Sequence, residues 1–209
     1  MKKKLNYSLL PSIESMNLFQ KFEDGVEGIL TESHPLSEVY ERARASLMFF
    51  WSVNDNNENW LNSAYIRAGL NEFYSLEDAA RRDFKELGQK KSAVEIKQSG
   101  NPLVHAMYLL RHSNVHATVA RTKLHPTTVY TRSDSGETAH NYSAVILDGN
   151  TQDYLQRSNE ANNYYTPEDL TKMGLWIDNN QMVFGVREVF IRGLSAYCKE
   201  LLSAFQTAA

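Results

Sequence analysis

Chemistry in this chain concentrates in the stretch "LLRHSNVH", where an apolar run meets Arg111, His112, Ser113, Asn114 and His116. Histidine titrates near neutrality, so His116 is suited to take a proton from a hydroxyl nucleophile or to give one to a leaving oxygen. Arg111 offers a planar, permanently charged fork able to clamp phosphate oxygens as charge builds on them in a transition state. His112, Ser113 and Asn114 add groups that would orient a phosphate, a sugar hydroxyl or the imidazole by hydrogen bonding.

That chemistry makes a demand on the backbone. Five helical steps of about 100° put positions 111 and 116 about 140° apart, so a shared site within one subunit needs the helix to end between them. Ser113 and Asn114 are weak helix formers that bond readily to nearby backbone, and the break is expected there. A two-fold dimer relieves the same constraint by bringing two copies of the stretch into one cleft. An unbroken helix suits different chemistry: His105, His112 and His116, at offsets of seven and eleven, fall within about 40° of one face. No carboxylate recurs beside them, and neither a metal nor another cofactor is assigned. A structural reading stands alongside: a histidine on an apolar helix face is commonly a satisfied core residue, and Arg111 would then pair with an acidic residue between Glu72 and Asp78.

The elements that must position these residues are mostly helical. "SHPLSEVYERARASLMFFWSV" has Ser33 as an N-cap, Pro35 in the first turn and an apolar face at helical spacing. The polar cluster Asn54 to Asn59 separates it from a second helix that stops at Gly88, and the short linker makes the pair antiparallel. A third helix starts at the Asn101 cap with Pro102 in its first position and runs into the polar stretch. From Leu124 to about Tyr165 the pattern changes to β-branched and aromatic runs around "SDSGE", the mark of an inserted β-hairpin or irregular excursion. Helices resume at Thr166, with Asp169 completing a capping box, and end with the run from Val183 through Phe205. Gly185 and Gly193 mark either close helix packing or simple tolerance of glycine. The expectation is mainly α: one domain over 1–209, an antiparallel helical bundle of about five helices, with an insertion at about 124–165.

At this point the chain resembles the HEPN superfamily, whose hallmark is an arginine, four to six residues, then a histidine, often with a polar residue after the arginine. "RHSNVH" matches at the shortest spacing, and two long antiparallel helices followed by the motif and then further helices match the family's order. The resemblance runs loosely from 35 to 205 and specifically over six residues. It implies a metal-independent endoribonuclease acting at a homodimer interface, with Arg111 and His116 catalytic and His112, Ser113 and Asn114 binding substrate. A toxin or defence role with an antitoxin-type protein partner fits that activity. The same fold without catalysis, as an RNA-binding or assembly module, is the alternative.

Composition limits the other classes. The 209 residues carry a net charge of -3, with 42% hydrophobic and 22% charged residues, so no polycationic surface announces a nucleic-acid partner. Arg81, Arg82, Lys85, Lys90, Lys91 and Lys97 form a local basic stretch, but Glu86 and Glu95 interrupt it, as in a solvated helix end. Phe49, Phe50 and Trp51 read as core. The single Cys198 suits a reducing, cytoplasmic compartment and inert packing. The basic start "MKKK" lacks the apolar run of a secretion signal, and no stretch is apolar enough to span a bilayer. Gly-rich phosphate loops, paired-cysteine zinc patterns and nucleophile elbows are absent from the sequence.

Overall fold

The computed structural model describes residues 2–11, 31, 34–88, 95–116, 121–133 and 136–208. Among these are six α-helices and one antiparallel hairpin: α1 Ser37–Trp51, α2 Asn59–Glu86, α3 Pro102–His116, β1 Thr122–Ser133, β2 Gly136–Leu147, α4 Thr151–Gln156, α5 Ala161–Tyr164 and α6 Pro167–Ala208. Single 3-10 turns lie at Tyr7–Leu9 and Ile96–Gln98. The mainly helical bundle with a β-hairpin inserted after the third helix is therefore the architecture of the molecule. Among the described residues no helix is long and apolar enough to cross a membrane.

Helices α1 and α2 form the expected antiparallel pair, locked at the turn by buried Asn62. Its carboxamide accepts from the Asn54 amide at 3.1 Å and donates to the Asn54 carbonyl at 2.8 Å. At the far end the cap of α1 departs from expectation. The helix begins at Ser37 rather than after Ser33, which lies outside the described residues. Its first free amides, those of Glu38 and Val39, donate at 3.2 and 2.9 Å to the carboxylate of Asp83, near the C-terminus of α2. A carboxylate there satisfies orphan donors and complements the positive end of the helix. Burial raises the Asp83 carboxyl above its ordinary value, with the two amide bonds opposing.

The caps read from local sequence form as expected elsewhere. Asn101 accepts from the Leu103 amide at 2.9 Å to open α3. Thr166 and Asp169 cap α6 reciprocally: each side chain accepts from the other's backbone amide at 3.1 Å. Helix α6 combines the two C-terminal helices anticipated from sequence, with Gly185 at φ 81° and ψ 155° as the kink between them. An L side chain rarely adopts that conformation, so Gly185 serves the bend. Gly193 serves packing: a Cβ there would come within 2.2 Å of the Met107 sulfur, so α3 and α6 touch backbone to side chain.

Helix α6 contacts α1, α2, α3, α4 and both strands, placing Val189, Phe190, Leu194, Tyr197 and Cys198 at the centre of one continuous core with Phe50, Phe73 and Met107. The hairpin pairs Thr122 with Leu147 at its base and Ser133 with Gly136 at its tip. Among the described side chains the base enters the core, through Ala144 to Leu147, and the tip half of β2 is exposed. Ser63 of α2 and Gln181 of α6 hold that base by accepting from the Thr122 and Leu147 amides at 3.1 and 2.8 Å. The remainder of the anticipated excursion is α4 and α5.

Candidate functional site at the end of the third helix

The helix does not break at Ser113 and Asn114; α3 is continuous through His116. Ser113 explains why. Its buried hydroxyl lies 3.0 Å from the Leu109 carbonyl one turn back and 2.5 Å from the Tyr154 carbonyl of α4. The capacity of serine to disrupt a helix is thus spent on supporting one. The Ser113 hydroxyl is turned toward carbonyls inside the protein. Backbone positions 111 and 116 consequently stand about 140° apart around the axis. The side chains of Asn114 and His116 lie outside the described residues.

A continuous helix was the condition for a histidine metal stripe, yet His105 removes that option. It is 0% exposed, with Nε2 2.7 Å from the Ser99 carbonyl and Nδ1 2.5 Å from the Tyr165 hydroxyl. A carbonyl only accepts, so Nε2 carries the proton and Nδ1 accepts from the tyrosine. The lone pair a metal would need is occupied. Burial lowers the His105 pKa to about 4, against a smaller opposing contribution from the Ser99 bond. No cluster of three metal-ligating side chains occurs among the described residues.

Arg111 and His112 occupy a different setting. The Arg111 guanidinium carbon sits 4.1 Å from the centroid of the Tyr74 ring on α2. The expected ion pair with Glu72 to Asp78 does not form: Glu72 pairs with Arg42, and Glu77 and Asp78 pair with Arg81. Arg111 Nε is buried without a hydrogen-bond partner. The His112 ring meets the same Tyr74 edge-on at 5.5 Å and lies 4.5 Å from the ring of Tyr108, one turn earlier. Tyr74 thereby gathers the adjacent residues Arg111 and His112 on one ring.

The array continues beyond the helix. Lys97 lies 5.6 Å from the Tyr108 ring centroid and 4.8 Å from that of Tyr164, and it pairs with Glu160 at 2.8 Å. Lys3 lies 6.0 Å from the Tyr164 ring, and its ammonium donates to the Lys97 carbonyl. Arginine, histidine and lysine groups therefore alternate with tyrosine rings from Tyr74 to Tyr164. Burial works to raise the Glu160 carboxyl, but the Lys97 bond and charge prevail and hold it below its ordinary value. Burial also pushes the Tyr108 hydroxyl up to about 12, with Lys97 opposing. Cation–ring contacts of this kind contribute about 0.5–1 kcal/mol each when exposed.

Other sequence candidates resolve into structural roles. Arg81 and Arg82 are held by Glu77, Asp78, Glu95 and Glu38, and Lys90 and Lys91 lie outside the described residues. Phe50 is buried, and Trp51 packs against the core beneath Arg187. Cys198 is wholly buried, and burial pushes its thiol up to about 12. Sequence reasoning missed Tyr74, Glu160 and Tyr164, and placed Lys97 only in the basic stretch that ends there. Each lies on a different segment from α3, and the only local signal was the density of tyrosine and lysine around them.

Comparison with family profiles, curated proteins and solved structures returns no match. The class that fold and site define is a kinked helical bundle with a base-anchored hairpin and a cation–tyrosine array along one end.

Proposed function

We propose that this chain is an HEPN-like helical protein of the cytoplasm that binds RNA, as a homodimer, through the Arg111 end of α3. The observation that carries the reading is the shared Tyr74 ring. It holds Arg111 and His112 together on one ring, whereas the unbroken helix sets position 116 far round the axis. This favours a binding pair over an Arg111–His116 catalytic pair within one subunit. A partly exposed guanidinium stacked on an aromatic ring is suited to engage a phosphate by its fork while the tyrosines flank the bases. Lys3 lies along the same edge beside Lys97, whose charge is paired with Glu160.

The test is fluorescence-anisotropy binding of single-stranded and hairpin RNA in EDTA, beside gel analysis of the same mixtures. Wild type is expected to bind with a salt-dependent affinity. Arg111→Ala should weaken binding about tenfold, Arg111→Lys by less, and His116→Ala little. RNA that fails to bind wild type, or that binds Arg111→Ala equally, removes the proposal. EDTA-resistant cleavage abolished by His116→Ala would replace it with catalysis across a two-fold interface, and with that the toxin role and antitoxin-type partner.

A further inference from the structure

A carboxylate stands within the cation–tyrosine array. Glu160, the residue before α5, lies 2.8 Å from the Lys97 ammonium, and both side chains are partly exposed. Burial works to raise its carboxyl while Lys97, Tyr108 and His112 oppose, so the acid faces three residues of the array at once. An anionic group of the protein thus lies on the edge that the RNA reading assigns to a polyanion.

Lys97 is set to meet an anion whichever group supplies it. Its ammonium is flanked by two rings, 5.6 Å from the Tyr108 centroid and 4.8 Å from that of Tyr164, and the Lys3 ammonium donates to its carbonyl. None of these contacts uses the carboxylate, so they hold the ammonium in place when its counterion changes. Tyr108 also joins Lys97 to the Arg111 end, since its ring lies 5.9 Å from the Tyr74 ring on which Arg111 stacks. An ammonium is a compact point charge, and a carboxylate and a phosphate oxygen compete for it on the same terms. A partly exposed ion pair is weak, equivalent to no more than about a fivefold change in an equilibrium, so the exchange is within reach of a bound strand.

We propose that Lys97 is a second phosphate subsite of the RNA surface and that Glu160 occupies it as an internal competitor. The inference rests on the RNA reading above: Arg111 takes one phosphate, and Lys97 takes another along the same strand once Glu160 is displaced. Glu160 therefore sets the affinity below the level that the cations and rings would give without it.

Anisotropy titration of the full chain with single-stranded RNA, repeated over a range of salt, tests the assignment. Glu160→Gln should bind about fivefold more tightly, and its log affinity should fall more steeply with log salt, by about 0.7, as one further phosphate is neutralised. Glu160→Asp keeps the charge but withdraws the carboxylate by one methylene, and should still tighten binding about twofold. Adding Lys97→Gln to Glu160→Gln should return affinity to within about twofold of wild type. Both Glu160 variants keep the backbone bonds from Asn163 and Tyr164 to the Glu160 carbonyl, and their melting temperatures should match wild type. Wild type that binds RNA no more weakly than Glu160→Gln overturns the subsite alone. A gain in Glu160→Gln with none in Glu160→Asp reports overall charge rather than competition and overturns it too, as does a gain that survives Lys97→Gln. RNA bound by neither wild type nor Glu160→Gln removes the RNA reading and the subsite with it.

Discussion

The two halves of α3 carry the same kinds of residue to opposite ends. In its first half His105 is sealed in the core, with both ring nitrogens satisfied and its proton assigned by the Ser99 carbonyl. In its last turns Arg111 and His112 lean on Tyr74 at the partly exposed margin. Beside them Ser113 turns inward to bind α4. Residue type alone does not separate a histidine sealed in the core from one at the margin. What separates them is the neighbouring structure: a carbonyl and a tyrosine hydroxyl in one case, aromatic faces in the other. The first half is therefore expected to govern stability, and the second half binding.

The largest expected effect lies in the first half. His105→Ala removes two buried hydrogen bonds and opens a void, and should cost about 3 kcal/mol in urea denaturation. A loss below about 1 kcal/mol would erase the contrast between the halves. Titration sharpens the same point. The folded His105 has a pKa of about 4, below its ordinary 6.5, because burial favours the neutral ring. Between those values the unfolded chain binds the extra proton, so this contribution is complete above about pH 6.5 and is lost as pH falls through about 4. The wild-type difference between neutral and acid pH should include up to about 3 kcal/mol from this group. Urea curves at pH 7 and 4.5 should show a smaller difference in His105→Gln; parallel behaviour of the two proteins would contradict the burial argument.

Ser113→Ala is the intermediate case. It leaves the Tyr154 carbonyl without its 2.5 Å partner and should cost about 1 kcal/mol, with RNA affinity unchanged. A change in affinity at constant stability would return Ser113 to the binding set. The smallest effect on stability belongs to Arg111→Ala, less than about 1 kcal/mol for the loss of one partly exposed cation–ring contact. Its signature is instead weakened RNA binding, so the Ser113 and Arg111 variants should exchange phenotypes if the comparison is drawn at the wrong residue.

Local chemistry was legible in short stretches of the chain. Asn101 and Pro102 opened α3, Thr166 and Asp169 opened α6, and β-branched runs announced the hairpin, because caps and strand patterns act over a few residues. The cap of α1 was not legible in the same way. Asp83 reaches it from 44 residues away, and nothing in "SHPLSEV" points there. The helix-breaking character of Ser113 misled for a related reason: its hydroxyl competes with helix geometry only when no carbonyl is placed to receive it, and α4 helps supply one. The partner of Arg111 fell within the segment from Glu72 to Asp78, but the acids there are taken by Arg42 and Arg81, leaving the Tyr74 ring.

The sequence by itself determined that the chain is a mainly helical bundle with a β-hairpin after the third helix, since periodicity and capping act on neighbours along the chain. It also determined that Arg111 and His112 stand together at the end of an apolar helix. Only the tertiary structure decided which histidine is sealed in the core, that α3 runs unbroken to His116, and that tyrosines and lysines from other segments line its margin. Those outcomes depend on which carbonyls, carboxylates and rings arrive from distant parts of the chain, and that is settled when the helices pack.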